Sequence, residues 1–315
     1  MDKQNPLVSI VVITYNSGEY ILETLNSAYS QTYANIELIV TDDCSTDNTV
    51  ELAQEWINVH SSRFVSAKLV KTPKNSGISA NCNRGFNEAK GEWVKIIAGD
   101  DLLEPSSIQC YMEALPSLPS NLALIHGLVQ KFTSKNGANT FTDVWPLDTK
   151  TNCFYSNRLS NKEILAIMVD GNRIAAPSIL YNRTAVERVG GFDDRYRFME
   201  DYPLHIALIS NGYSVAFIDK IVACYRVSDS SISHRNSQRI YSTLYLDSYY
   251  RFIFEKIYPL SSFANKLKHK VKYLTYKAVV KVGGNKHNFF TYCVLKLSTL
   301  ITRTIDRVKR VQGIA

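Results

Sequence analysis

Two carboxylates stand side by side at Asp100-Asp101, directly after the apolar run Trp93-Val94-Lys95-Ile96-Ile97-Ala98-Gly99. A run of this kind reads as a strand buried in a parallel sheet. In open α/β sheets, ligands bind beyond the carboxyl ends of such strands. Adjacent acids there repel unless a positive charge sits beside them, and a divalent cation carrying a phosphorylated ligand meets that need. A solvated Asp-Asp turn is the plainer alternative for the pair taken alone. Three further clusters fall at strand ends or in loops: Thr14-Tyr15-Asn16, Asp42-Asp43 and Glu200-Asp201. A carboxylate of Asp42-Asp43 could accept the imide N–H of a uracil or the hydroxyls of a ribose. The same pair could instead favour the N-terminal dipole of the helix that follows. Glu200-Asp201 precedes Leu204, Ile206, Ala207 and Leu208 and so opens a helix, where an acid pair favours the N-terminal dipole.

The elements that must hold these groups follow from periodicity. Residues 7–13 form a strand ended by Thr14-Tyr15-Asn16, and a helix over 19–31 places Ile21, Leu22, Leu25 and Ala28 on one face. The strand at 36–40 ends in Thr41-Asp42-Asp43, and Ser45 or Thr46 is the expected cap of the next helix. A strand at 67–70 leads to the turn Asn75-Ser76-Gly77 and a helix ending near Lys90-Gly91, where Gly91 reads as a C-cap. Pro105 suits the first turn of another helix. Further strands are expected at 122–126, 179–181 and 214–218, with a loop or hairpin insertion over 133–157. Ser160-Asn161-Lys162-Glu163 is a capping box before an apolar helix. This βαβα order predicts an α/β fold: a mostly parallel sheet flanked by helices.

Composition narrows the class. With 45% hydrophobic and 21% charged residues the chain is ordinary for a globular protein, and its 315 residues suffice for two domains. No apolar run reaches a membrane span, and the N-terminus lacks the charged and apolar regions of a signal peptide. The six cysteines are scattered without a CxxC pair, which argues against a zinc site or disulfide framework and for a reducing cytoplasm. The net charge of +7 is uneven: residues 255–315 hold thirteen Lys or Arg against two acids, and the remainder holds 23 basic and 27 acidic residues. Helical spacing of Ile253, Ile257, Leu260, Phe263, Leu267, Val271 and Leu274 marks this tail, with a break at Pro259 and a last helix over 289–311 after Gly283-Gly284-Asn285. The boundary is placed at 236/237, with a basic helical region over 237–315.

Taken together, the motifs over 7–233 resemble the inverting glycosyltransferases of family 2, which have the GT-A fold, of the bacterial surface-polysaccharide type. The anchors are residues 8–16, Thr41-Asp42-Asp43-Cys44-Ser45-Thr46-Asp47-Asn48-Thr49, Asn75-Ser76-Gly77, Gly91-Glu92-Trp93, Gly99-Asp100-Asp101, Gly190-Gly191-Phe192-Asp193 and Glu200-Asp201-Tyr202. The resemblance implies transfer of a hexosyl or N-acetylhexosaminyl group from a nucleotide sugar, expected to be UDP-linked, to a hydroxyl of a glycan or lipid-linked acceptor. It puts Asp43 on the base, with Thr14, Tyr15, Asn16, Asn75 and Gly77 around the donor. It assigns Asp100 and Arg226 to donor contacts, Asp101 to a Mn2+ or Mg2+ ion and Asp201 to the general base. Two departures stand out: Cys82 occupies a position where the family often has arginine, with Arg84 nearby, and Ser228 replaces a frequent histidine, with His234 six residues on.

A sugar nucleotidyltransferase should carry a glycine-rich loop with a basic residue after the first strand, where this chain has Thr14-Tyr15-Asn16-Ser17-Gly18-Glu19. A nicotinamide enzyme is disfavoured by the lack of GxGxxG there. A nucleotide-sugar-binding homologue without turnover is the remaining alternative. The basic tail could be a solvated surface, bind nucleic acid, pack on the catalytic domain or lie on an anionic membrane. Its aromatic residues favour the membrane, which gives a cytoplasmic protein peripheral to the inner face; no nucleic-acid partner is expected, and a homodimer is left open.

Overall fold

A computed structural model describes residues 5–135, 137–227 and 239–311. Ser228, His234 and the 236/237 boundary lie outside these residues. The chain divides into two compact units, Met1–Val227 and Ser228–Ala315.

The first unit opens with β1 (Val8–Thr14), α1 (Ile21–Tyr29), β2 (Ile36–Asp42), α2 (Thr49–His60), β3 (Ala67–Lys71), α3 (Ile78–Glu88) and β4 (Trp93–Ala98). It continues with β5 (Leu102–Leu103), α4 (Ser107–Ala114), β6 (Leu122–Lys135), β7 (Ala138–Trp145), α5 (Asn161–Asp170), β8 (Ile179–Asn182), α6 (Arg183–Arg188), α7 (Asp201–Ser210) and β9 (Ser214–Arg226). Among the described residues one sheet runs β3-β2-β1-β4-β8-β6-β9-β5, with β7 paired to β6. β3, β2, β1 and β4 are parallel; β8 is antiparallel to β4 and β6, and β9 is parallel to β6. Registers Thr14↔Asp42 and Ile13↔Ala98 bring the carboxyl ends of β1, β2 and β4 to one edge. The fold is GT-A: an α/β, mostly parallel sheet with helices on its faces.

The packing follows from strand alternation. Val8, Ile10, Val12, Leu38 and Val40 meet Ile21, Leu25, Ala53, Trp56 and Ile57 of α1 and α2 in one buried cluster. The opposite face receives α3 so closely that a Cβ on Gly85 would stand 2.4 Å from Cγ1 of Val11 and 2.8 Å from Cγ2 of Thr41.

Several boundaries differ from expectation for local reasons. α2 starts at Thr49 after Asn48, because the Ser45 hydroxyl is drawn back to Asp42 and does not cap the helix. α3 ends at Glu88 with an extended Ala89, so Gly91 is not a C-cap. Its N–H and that of Lys90 donate to the buried carboxylate of Glu37, and a Cβ there would lie 2.7 Å from the Leu7 carbonyl oxygen. Pro105 precedes α4 rather than opening it, and its carbonyl accepts from Thr32 N–H. The 133–157 insertion resolves into the antiparallel β6–β7 hairpin and a 3-10 turn at Cys153–Ser156. The capping box forms as expected, Ser160 accepting from Glu163 N–H and Glu163 from Ser160 N–H.

The second unit contains α8 (Thr243–Phe252), a π turn (Ile253–Ile257), α9 (Tyr258–Leu260), α10 (Phe263–Lys281) and α11 (Phe289–Val311). Pro259 sits in the short α9, which breaks at an extended Ser261. Asn285, with φ of 57°, turns the chain between α10 and α11 and pairs with the Tyr241 backbone in both directions. Among the described residues, no helix is long and apolar enough to cross a membrane.

Candidate active site at the carboxyl edge of the sheet

The β1 and β2 ends build a tightly bonded corner. Asp42 accepts from Thr14 Oγ1 (3.1 Å), Ser45 N–H (2.8 Å) and the Ser45 hydroxyl. Asn16, at φ 50°, accepts from Thr46 N–H at 2.8 Å. Tyr15 stands outside this corner, 49% exposed. The buried Asp43 carboxylate receives Ser76 N–H (3.0 and 3.1 Å), Ser76 Oγ (2.7 Å), Gly77 N–H (2.8 Å) and Arg84 Nη2 (3.3 Å). Asp43 therefore holds the Asn75-Ser76-Gly77 loop. Gly77 needs its freedom: φ is +94°, and a Cβ would lie 2.2 Å from Cγ of Arg197. Asn75 Oδ1 accepts from Arg197 Nη2 at 2.6 Å. Beneath the corner, Asn81 donates to the carbonyls of Thr14 and Thr41 and accepts from Arg84 Nη1 at 2.7 Å.

The Asp100-Asp101 turn is fixed by Arg226, the last residue of β9. Arg226 N–H donates to Asp101 Oδ1 at 2.8 Å, and its Nε donates to the Asp100 carbonyl at 2.7 Å. Nη2 reaches Glu23 at 3.0 Å and Nη1 the Ser134 hydroxyl. The guanidinium lies 4.1 Å from the Tyr20 ring centroid and 4.5 Å from that of Phe132. Only 1% exposed, this side chain is committed to the turn itself. Lys95, buried in β4, donates to the carbonyls of Pro177 and Ile179. Burial lowers its ammonium to about 7, against the pull of the Asp101 charge.

Burial raises both carboxyls of the turn, and the Asp100 charge pushes Asp101 further; Arg226 opposes both shifts. The pair is thus short of positive charge. Among the described residues no group of three His, Cys, Asp or Glu is placed to hold a metal. Two hard oxygen donors on adjacent residues do fit a Mg2+ or Mn2+ ion that keeps waters and takes its other ligands from a diphosphate.

A second acid pair lies at the head of α7. Asp201 Oδ1 accepts from Tyr202 N–H at 2.6 Å, and Oδ2 accepts from Asn172 Nδ2 at 2.8 Å. Asn172 is oriented in turn, its Oδ1 receiving Ile174 N–H at 3.1 Å. Burial, then the Asp201 charge, raises Glu200 to about 8. Burial also raises Asp201, against its two hydrogen bonds. The buried Cys82 thiol is pushed well up by burial and by the charges of Glu200 and Asp201, which places α3 beside these acids.

α3 joins the corners. Ile78 N–H donates to Arg197 O at 3.1 Å and Ser79 Oγ to Tyr196 O at 3.0 Å. Asn83 clamps Phe192, donating to its carbonyl (2.7 Å) and accepting its N–H (2.9 Å). A Cβ on Gly191, at φ +76°, would come within 2.8 Å of Asn83 Oδ1. Segment 191–197, which leads to α7, is therefore anchored on the helix that begins at the Asp43-bound loop. The carboxyl ends of β1, β2 and β4 put Thr14, Asn16, Asp43 and the Asp100-Asp101 turn at one edge, and Asp43 holds the loop of Asn75 and Gly77, while Tyr15 is exposed and Arg226 faces inward. The structure adds Asn81, Asn83 and Asn172. Asn81 and Asn83 lie in a motif readable from sequence, while nothing local marks Asn172.

Residues 9–166 match the family described as Glycosyl transferase family 2. The putative teichuronic acid biosynthesis glycosyltransferase TuaG of Bacillus subtilis is 25% identical over 242 residues, covering 74% of this chain and 84% of TuaG. The structure of S. aureus TarS 1–349 in complex with UDP aligns with a TM-score of 0.53 at 16% identity, over 98% of this chain and 92% of that one. This chain's match spans 43% of a longer TarS structure. The mannosyltransferase PcManGT from Pyrobaculum calidifontis, in complex with GDP-Man and Mn2+, aligns with a TM-score of 0.54 at 16% identity, over 99% and 76% of the two chains. These likenesses agree with the GT-A topology, and the family match, which spans half of the sequence, shows that this chain belongs to glycosyl transferase family 2.

Proposed function

We propose that the protein transfers a sugar from a nucleotide-sugar donor to an acceptor hydroxyl by single displacement, with Asp201 as general base. One observation carries this reading. The Asp201 carboxylate is partly buried, gripped by Asn172 and Tyr202, and anchored through α3 to the edge that holds Asp43 and Asp100-Asp101. A carboxyl raised by burial is a stronger base than an exposed one. Asp201 takes the proton as the acceptor oxygen bonds to the anomeric carbon. The bond from that carbon to the diphosphate oxygen breaks, its electron pair leaves with the nucleotide, and the anomeric centre inverts.

On the donor side, Asp43, Thr14, Asn16, Asn75 and Gly77 form the corner for the base and ribose, and Tyr15, exposed beside it, would stack on a ring. Asp101 would hold a Mn2+ or Mg2+ ion and Asp100 would contact the sugar or ribose. The ion, when bound, neutralises charge on the departing diphosphate. Arg226 acts on the donor by fixing the Asp100-Asp101 turn. A UDP-linked donor is favoured by the TarS complexes with UDP and UDP-GlcNAc, and a glycan acceptor by the name of TuaG, with a hexosyl or N-acetylhexosaminyl group and a glycan or lipid-linked acceptor as the proposed substrates. The domain boundary is proposed at residue 236.

A thermal-shift screen of UDP- and GDP-sugars, with and without Mn2+, tests the donor, since a ligand of the folded state raises its melting temperature. The expected result is a shift with one nucleotide sugar that requires Mn2+, followed by a product of inverted anomeric configuration by NMR. No shift with any nucleotide sugar would overturn the function, and a retained configuration the single displacement.

A further inference from the structure

We propose that α10 and α11 present a docking face for an anionic lipid surface. On α11, Phe289, Cys293, Leu297, Leu300 and Ile301 are exposed and recur at three- and four-residue spacing, which places them on one ridge. Phe289 is 83% exposed and Leu300 64%, while Thr291 and Ile305 of the opposite face are buried. Lys296, Arg303 and Arg307 line up beside this ridge. At the α10–α11 turn, Val282 is 72% exposed and is flanked by the exposed Lys281 and Lys286.

Charge selects the occupant. Between Glu255 and Asp306 the sequence has ten Lys or Arg and no acid. The described acids of this unit have partners within it: Asp247 accepts from the Tyr276 hydroxyl, Glu255 from Arg251 Nε and Asp306 from Lys268 Nζ, each at 2.9 Å. The exposed face therefore keeps its positive charge. An apolar ridge with a basic flank and aromatic residues at its end suits the boundary between headgroups and acyl chains. Nucleic acid would use the lysines but gain nothing from Leu297, Leu300 and Ile301. The helices lie on such a surface rather than cross it, since neither is long and apolar enough to span.

Co-sedimentation of the full chain with vesicles tests this. Binding is expected to phosphatidylcholine vesicles containing phosphatidylglycerol, weakly to phosphatidylcholine alone, and to fall with salt. Each basic residue near an anionic surface strengthens binding about fivefold, so Lys281, Lys286, Lys296 and Arg303 all changed to Gln should weaken it by about a hundredfold or more. Phe289→Ser with Leu297→Ser and Leu300→Ser should also release the protein at unchanged melting temperature. A conservative Phe289→Trp variant should gain a blue-shifted fluorescence signal with anionic vesicles. Equal binding to neutral vesicles, wild-type binding by the charge variant, or unmoved fluorescence of the Phe289→Trp variant would overturn the proposal. So would retention on nucleic acid without vesicle binding, or a solution dimer that ignores vesicles and that the Ser variant dissociates.

Discussion

The backbone N–H of Arg226 donates to the Asp101 carboxylate across 125 residues of sequence, so the end of β9 clamps the turn that ends β4. The guanidinium completes the clamp through the Asp100 carbonyl and rests between Tyr20 and Phe132. Arg226→Ala removes a buried, stacked side chain and should destabilise the fold by about 3 kcal/mol in urea denaturation. Arg226→Lys should recover only part of this, because an ammonium lacks the planar fork that stacks and reaches three acceptors. Full recovery by lysine would show that charge alone matters here.

Asn172→Ala frees one oxygen of Asp201 without touching the donor corner. Turnover should fall about ten- to a hundredfold while the donor dissociation constant stays unchanged, the pattern of a lost transition-state interaction. Asn172→Asp adds a negative charge beside Asp201, which raises its pKa, so the acid limb of the pH–rate profile should move to higher pH. Asn172→Asp turnover with an unmoved limb would remove Asn172 from the role of positioning the base.

Stability should depend on pH in two opposed ways. Glu200 is raised from 4.5 to about 8, so across that window the folded chain holds a proton that the unfolded chain has lost, and stability falls as pH rises. His126 and His205 are lowered by burial from 6.5 to about 3, so the stability they contribute is lost as pH drops below 6.5, and Lys95, lowered to about 7, adds stability as pH rises above 7. Glu200→Gln removes the Glu200 contribution, so the melting temperature of this variant relative to wild type should rise as pH goes from 4.5 to 8, as scanning calorimetry at constant ionic strength can check; a difference that does not change with pH would contradict it.

Gly77→Ala places a Cβ against Arg197 at a positive φ. It should destabilise the protein by about 1–3 kcal/mol and weaken nucleotide binding with it, since the displaced loop is the one bound to Asp43. Nucleotide affinity equal to wild type by calorimetry would separate this loop from the donor corner.

Much of this arrangement was legible in the sequence because period and site coincide. The buried runs of β1, β2 and β4 announce strands, and their polar terminators lie together because parallel register leaves them no other place. Ser45 misled as a cap because its hydroxyl has a stronger local acceptor in Asp42. Arg226 read as a donor ligand because an arginine near a diphosphate site is expected to face it; its enclosure depends on Tyr20 and Phe132, far apart in the chain. Asn172 was invisible for a related reason, since its partner Asp201 lies 29 residues away and no motif spans the two.

The division of labour between Asp101 and Asp201 is tested most directly by calorimetry and turnover on the same two variants, with the nucleotide sugar that stabilises the wild type. Asp201→Asn should bind that donor in the presence of Mn2+ as tightly as wild type and transfer nothing, whereas Asp101→Asn should lose Mn2+-dependent binding itself. Transfer by Asp201→Asn, or undiminished Mn2+-dependent binding by Asp101→Asn, would contradict it.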